Sequence, residues 1–222
     1  MLTSTPQTLA DQLDELRQGM SGQIPAEVQA LTQEKAAELA RSGIAESSLG
    51  VGDKAPDFEL PNAVGARIQF SQLLQDGPVV LSFYRGGWCP FCNLELRALQ
   101  QFLPEIERIG ASLVAISPEL PDVSLNTLEK HELQFQVLSD QGNRVARQFG
   151  LVFTVAEELR PVYEQFGIDI PAHNGDQSFE LPLPATYVIA SDGTIRYAFV
   201  NSDYTQRAEP ADIIAACAKI AS

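Results

Sequence analysis

The chain has 222 residues, of which 45% are hydrophobic, and a formal net charge of −14. That is enough apolar material for one well-buried domain with an appendage and too little for two full domains. The acidic balance excludes nucleic acid and acidic membrane surfaces as natural partners, because phosphate binding rests on clustered Lys and Arg.

In chain order, residues 1–48 form a polar segment in which Leu9, Leu13 and Leu16 recur at helical spacing. Pro25 opens a second stretch through Val28, Leu31 and Leu39, so two helices joined near Gly19–Gln23 are expected as an arm that packs on its own domain or on a second copy. From residue 49 to 222 the pattern becomes that of one domain, with short strands at Asp57–Leu60 and Arg67–Phe70. Pro78–Tyr84 is a short apolar run after the turn signal Asp76-Gly77 and reads as a buried central strand. From Pro90 the spacing turns helical: Leu94, Leu96, Leu99, Phe102 and Leu103 give an apolar face, with Glu95, Arg97, Gln100 and Gln101 as its polar side.

The remainder alternates. Ser112–Ser117 reads as a strand, Asp122–Glu132 as a helix, Phe135–Leu138 as a strand and Arg144–Phe149 as a short helix. Residues 155–184 break the alternation and read as an insertion, a helix near Val155–Phe166 followed by a loop rich in Pro, Asn, Gly and Asp. Thr186–Ala190 and Ile195–Val200 are joined by Ser191-Asp192-Gly193-Thr194, a hairpin signal, and Glu209–Ile220 closes as a helix. The expected fold is α/β, a layered sandwich around a mixed sheet, with an N-terminal helical extension.

The chemistry concentrates in Arg85-Gly86-Gly87-Trp88-Cys89-Pro90-Phe91-Cys92, a Cys-x-x-Cys pair where the central strand gives way to a helix. Pro90 suits the first helical turn, where its missing N–H removes no helix bond. A helix N-terminus favours the thiolate, and Arg85 is the nearest candidate cation. A cysteine at its ordinary pKa of about 8.5 is only about 5% ionised at neutral pH, whereas one lowered to roughly 6.5 is mostly thiolate. A zinc site would need four ligands, and the chain offers one further cysteine and two histidines, so neither a metal nor another cofactor is expected. Three cysteines make no disulfide framework, and Met1–Gln7 shows neither a basic leader nor an apolar run, so the expected compartment is a reducing cytoplasm.

The chain resembles the AhpC/TSA redoxin family, the peroxiredoxin-like proteins on the thioredoxin fold. The resemblance covers about residues 50–221 through Gly52-Asp53-Lys54-Ala55-Pro56-Asp57-Phe58, Val79–Tyr84, Leu138-Ser139-Asp140 and Thr186-Tyr187-Val188-Ile189 with Asp192-Gly193. It implies a thioredoxin-like three-layer sandwich. The family signature Pro-x-x-x-Thr-x-x-Cys falls on Arg85, Cys89 and Cys92, so Cys92 takes the register of the peroxide-attacking cysteine, while Arg85 replaces the proline and Cys89 the threonine. The family's later arginine has no counterpart before Thr186-Tyr187, where Leu183-Pro184-Ala185 looks instead like the cis-proline loop of thioredoxins.

Three readings follow. In the first, Cys92 attacks a hydroperoxide, Cys89 resolves the sulfenic acid as a disulfide, and a thioredoxin-type donor reduces it, with Arg85 and turn N–H groups replacing the absent donors. In the second, Cys89 attacks a protein or small-molecule disulfide and Cys92 resolves the mixed disulfide. In the third, the fold is kept for binding without turnover. Trp88, Pro184 and Thr186 are expected to line the substrate side, and a homodimer is the expected assembly. Cys217, among Ile213, Ile214, Ala215 and Ala216, reads as a packed core residue, and His131 and His173 read as surface residues.

Overall fold

The computed structural model describes residues 7–221, so the leader reading at Met1–Pro6 lies outside the described residues. The arm contributes α1 (Leu9–Ser21), α2 (Ala26–Arg41) and the single turn α3 (Ile44–Ser47). Then come β1 (Glu59–Pro61), β2 (Arg67–Gln69), α4 (Phe70–Asp76), β3 (Val79–Phe83), α5 (Pro90–Arg108), β4 (Ser112–Ser117), α6 (Pro121–Lys130), β5 (Gln136–Ser139) and α7 (Arg144–Gln148). The chain ends with β6 (Val152–Thr154), α8 (Arg160–Gln165), α9 (Ile170–Asn174), β7 (Glu180–Pro182), β8 (Ala185–Ile189), β9 (Ile195–Val200) and α10 (Pro210–Ala221).

The central sheet runs β5-β4-β3-β8-β9. Strands β3, β4 and β5 pair in parallel, β8 runs antiparallel to β3, and β9 reverses again. All five residues of β3 and all five of β8 are buried, so both faces of the sheet need cover. The period-two alternation of strands divides the cover. Val80, Leu113 and Val188 face a cluster that takes in Leu96 and Leu99 of α5 with Ile213 and Cys217 of α10. Leu81, Val114, Ile116, Tyr187 and Ile189 face a second cluster with Phe70 and Leu74 of α4 and Val145 and Ala146 of α7. This is the three-layer, thioredoxin-like sandwich with a mixed sheet that the sequence led us to expect.

The arm begins with a capping box: Thr8 Oγ1 accepts from the Asp11 N–H at 3.1 Å, and Asp11 Oδ2 accepts from the Thr8 N–H at 3.0 Å. Leu9 and Leu13, one turn apart, are buried in the same cluster as α5, so α1 packs on its own domain. Helix α2 has no buried residue. Its Lys35 Nζ lies 2.8 Å from Glu158 Oε1, which links it to the 155–184 stretch.

That stretch differs from its expected form. Strands β6 and β7 pair as a two-stranded ribbon, Val152 with Pro182 and Phe153 with Leu181, and tie its two ends together. The expected helix is a 3-10 turn at Glu157–Leu159 followed by α8, with Pro161 in its first turn. The expected loop contains α9, capped by Asp169 Oδ1 on the Ala172 N–H at 2.9 Å. Helix α4 occupies residues after β2 for which no helix was expected, its first N–H, that of Phe70, held by the Phe58 carbonyl at 2.9 Å.

Leu81, fully buried between Val114 and Tyr187 on the neighbouring strands, sits at the centre of this arrangement. Leu81→Ala is expected to lower the unfolding free energy by about 2–5 kcal/mol in chemical denaturation, the cost of an unfilled cavity in a rigid sheet.

Candidate active site

Cys89 is the N-cap of α5, in extended conformation, with Pro90 as the first helical residue, so Cys92 lies within the first turn. The turn before it is packed too tightly for side chains. A Cβ on Gly87 would meet Thr127 Oγ1 at 2.1 Å, and Gly86 has φ +153° with Trp88 Nε1 2.3 Å from where its Cβ would stand. The turn is also pinned by hydrogen bonds. The Gly87 N–H donates to Glu119 Oε2 at 2.9 Å, Asn93 Nδ2 donates to the Gly87 carbonyl at 2.9 Å, and the Cys89 N–H donates to the Gly86 carbonyl at 3.1 Å.

Both thiols are free and almost wholly removed from water, Cys89 at 2% exposure and Cys92 at 0%. Two buried guanidinium groups stand against them. Arg207, from the segment between β9 and α10, places Nη2 3.1 Å from Cys92 Sγ. Its Nε donates to Glu95 Oε2, and its Nη1 donates to the Tyr204 and Gln206 carbonyls at 2.6 and 2.7 Å. Glu95 Oε1 in turn accepts from the Ser82 and Thr186 hydroxyls, both at 3.3 Å. Arg85 lies among rings, 4.4 Å from the Tyr204 centroid, 4.9 Å from Trp88 and 5.7 Å from Tyr163, and donates through Nη2 to the Tyr163 hydroxyl.

The two thiols titrate as a unit. A hydrogen bond from Cys92 pulls Cys89 down to about 5 against the effect of burial, and the charges of Arg85 and Arg207 add to the pull. Burial pushes Cys92 up, as do the hydrogen bond and charge of Cys89, and the arginines oppose the rise. The pair thus gives up its first proton readily and its second reluctantly. Burial raises Glu95 to about 7 against the pull of Arg207, and burial raises the Cys217 thiol to about 11.

The residues singled out from sequence separate into two groups. Cys89, Cys92, Arg85 and Trp88 come together in one cluster at the head of α5. Thr186 stands behind it, 1% exposed, with its hydroxyl on Glu95, and Pro184 is buried just before β8. The peptide bond before Pro184 is trans, as is every other among the described residues, which corrects the likeness to a cis-proline loop. Glu95 is 1% exposed and belongs to the site, although the helical pattern placed it on the polar side of α5. Its spacing of three residues after Cys92 put it on the same helix face, the signal that could have found it. His173 Nδ1 lies 3.2 Å from Glu119 Oε1, so the histidine read as a surface residue contacts the carboxylate that pins the turn. Arg207, Tyr163 and Tyr204 carried no local signal, since each reaches the thiols only through the fold.

Two outcomes are expected. Thiolate absorbance and iodoacetamide reactivity of the reduced pair should persist as pH falls from 8 toward about 5, then decline by about tenfold per pH unit below the midpoint. The sign follows from the lowered thiol: the reactive form is present above that midpoint and lost below it, and Arg85→Gln should move the midpoint upward. Gly87→Ala should slow thiol reaction on the order of tenfold by displacing the turn, and Thr127→Ala in the same chain should restore much of the rate, because it removes the atom 2.1 Å from the new Cβ.

Known proteins resemble this chain in sequence and in fold. The family model described as AhpC/TSA family matches residues 51–198. A peroxiredoxin relative in Mycobacterium tuberculosis is 36% identical over 111 residues, covering 50% of this chain and 72% of its own length. Peroxiredoxin Bcp of Escherichia coli is 31% identical over 103 residues, covering 46% of this chain and 65% of its own. Among solved structures, peroxidoxin BcpB from Mycobacterium tuberculosis superposes with a TM-score of 0.61 at 26% identity, covering 78% of this chain and 98% of that one. With a dithiol at the head of α5, guanidinium groups against it and a family match across the sheet that carries it, this chain belongs to the AhpC/TSA family.

Proposed function

We propose that the chain is a thiol peroxidase in which Cys92 is the attacking sulfur and Cys89 the resolving one. The observation that carries this reading is the contact of Arg207 Nη2 with Cys92 Sγ at 3.1 Å, inside a guanidinium already fixed by Glu95 and two carbonyls. A donor held so firmly needs no reorganisation when charge develops on the leaving oxygen. The thiolate attacks the distal oxygen of the hydroperoxide, the O–O bond breaks, and the alkoxide leaves as the alcohol after taking a proton. Sulfur is thereby oxidised to a sulfenic acid. The neighbouring thiol then attacks that sulfur, expels water and closes the Cys89–Cys92 disulfide, which an external dithiol of thioredoxin type reduces.

Exchange with protein disulfides is the weaker reading, because it needs an exposed thiol, and neither thiol exceeds 2% exposure. A specific observation does favour a second order of events within the peroxidase reading. Cys89 has the lowered thiol and lines a cavity, so it could take the oxygen with Cys92 resolving. The same reading includes a cytoplasmic setting, where dithiol donors work, and a homodimer, which light scattering checks. Among the described residues no helix is long and apolar enough to cross a membrane.

The test is reduced protein mixed with cumene hydroperoxide in stopped flow, with sulfenic acid trapped by dimedone and located by mass spectrometry. The expected result is a Cys89–Cys92 disulfide in the wild type, dimedone on Cys92 in Cys89→Ser, and no rapid reaction in Cys92→Ser. Arg207→Gln should slow the first step on the order of a hundredfold. Dimedone on Cys89 in Cys92→Ser would reverse the order of the thiols, and absence of any rapid oxidation would overturn the peroxidase reading.

A further inference from the structure

Arg207 reaches Cys92 from residues 201–209, a connection between β9 and α10 that contains neither helix nor strand. The same connection carries Tyr204, whose ring centroid lies 4.4 Å from the Arg85 guanidinium carbon. Both buried cations beside the thiols therefore depend on where this loop sits. Its inner shape is set by Asp203, whose Oδ1 accepts from the Thr205 N–H at 3.0 Å and from the Thr205 hydroxyl at 2.7 Å, and whose carbonyl accepts from the Gln206 N–H at 3.0 Å. Bonds within a loop fix its curvature but not its distance from α5, which bears Cys92.

Helix α1 supplies the outside reference. Glu209 Oε1 accepts from the Ala10 N–H at 2.6 Å and Oε2 from the Leu9 N–H at 3.3 Å, donors that a helix N-terminus leaves without partners of its own. Two turns further along the same face, about 10 Å at the helical rise, Arg17 Nη2 donates to Thr205 Oγ1 at 2.6 Å, while its Nη1 is held by Asp14 Oδ1 at 2.6 Å. Thr205 and Glu209 stand two residues before and two residues after Arg207. Leu9 and Leu13 are buried in the cluster that includes Phe91, Leu96 and Ala208. Helix α1 is thus tied at once to the helix that bears the thiols and to both flanks of the arginine. The family match at residues 51–198 contains neither α1 nor residues 201–209, so the donor and its clamp both lie outside the matched part.

We propose that α1 is the positioning element for Arg207, with Glu209 and Arg17 as positioning residues that clamp its loop to the arm and so hold the guanidinium against Cys92. Neither touches a reacting atom, and both act through Arg207. The kinetic consequence rests on the peroxidase reading, whereas the effect on the thiols' hold on their proton does not. A guanidinium free to drift by about an ångström interacts less with a buried thiolate and leaves the reacting geometry unmade. Glu95 holds the guanidinium itself, from the side of α5, and the clamp holds the backbone on which it is mounted.

The test compares full-length reduced protein carrying Arg17→Met, Glu209→Ala or Glu209→Gln with the wild type, each alone and combined with Arg207→Gln. Two quantities are read: the pH midpoint of iodoacetamide alkylation of the thiol pair, and the single-turnover rate with cumene hydroperoxide. Arg17→Met and Glu209→Ala should raise the midpoint, because Arg207 is among the charges that hold the thiol down. Both should also slow the rate about tenfold. Glu209→Gln, which keeps an acceptor oxygen for the helix N–H groups, should retain most of the wild-type behaviour. On the Arg207→Gln background none of these substitutions should change midpoint or rate further, since a residue that acts through Arg207 has nothing left to position. Arg17, with a side chain 41% exposed, provides the reading should Glu209→Ala fail to fold. An unchanged midpoint and rate in the folded variants, or losses that add in full to that of Arg207→Gln, would overturn the inference. If no hydroperoxide reacted, the peroxidase reading would fall, and the alkylation midpoints would still decide the clamp.

Discussion

A negative charge shared between two sulfurs that are 0% and 2% exposed is the constraint on which the rest of the site depends. An isolated buried ion is too costly to persist, so it must be matched by charge and by hydrogen bonds close at hand. Arg207 and Arg85 provide the match, and each is itself buried and needs partners of its own. Glu95 answers Arg207, while the rings of Trp88, Tyr163 and Tyr204 surround Arg85. Two guanidinium groups, one carboxylate and one thiolate leave the cluster formally neutral, although its members come from the turn after β3, from α5, from the loop before α10 and from the insertion.

Replacing the family's threonine by Cys89 changes what that charge can do. A hydroxyl at the N-cap could only hold a neighbouring thiolate, whereas a thiol can hold it and later form a bond with it. The two sulfurs therefore occupy one helical turn, and no large movement is needed to bring them together. Arg207, from a segment beyond the final hairpin, brings to Cys92 a guanidinium that the local sequence lacked.

The arm and the insertion act on the same cluster from outside. By lining the cavity beside Cys89 with apolar side chains, they lower the local dielectric, which strengthens the charge interactions next to it. Tyr163 joins the two levels, because it lines the cavity and accepts a hydrogen bond from Arg85. The reactive centre and its apolar enclosure are thus one physical unit.

What the sequence determined by itself is what local rules control. The period-two strands, the 3.6-residue helix of α5, the Asp192-Gly193 hairpin and the placement of Cys89 and Cys92 at a strand-to-helix turn were all legible. Each depends on residues within a few positions of one another. Arg207 lies 115 residues from Cys92, the β6–β7 ribbon pairs short segments across the whole insertion, and Glu95 was hidden in a face that looked polar. Trp88 could be read beside the thiols, but its partnership with Tyr163 could not. Tertiary structure decided these because a buried charge selects its partners by distance in space, and sequence spacing carries no record of that distance.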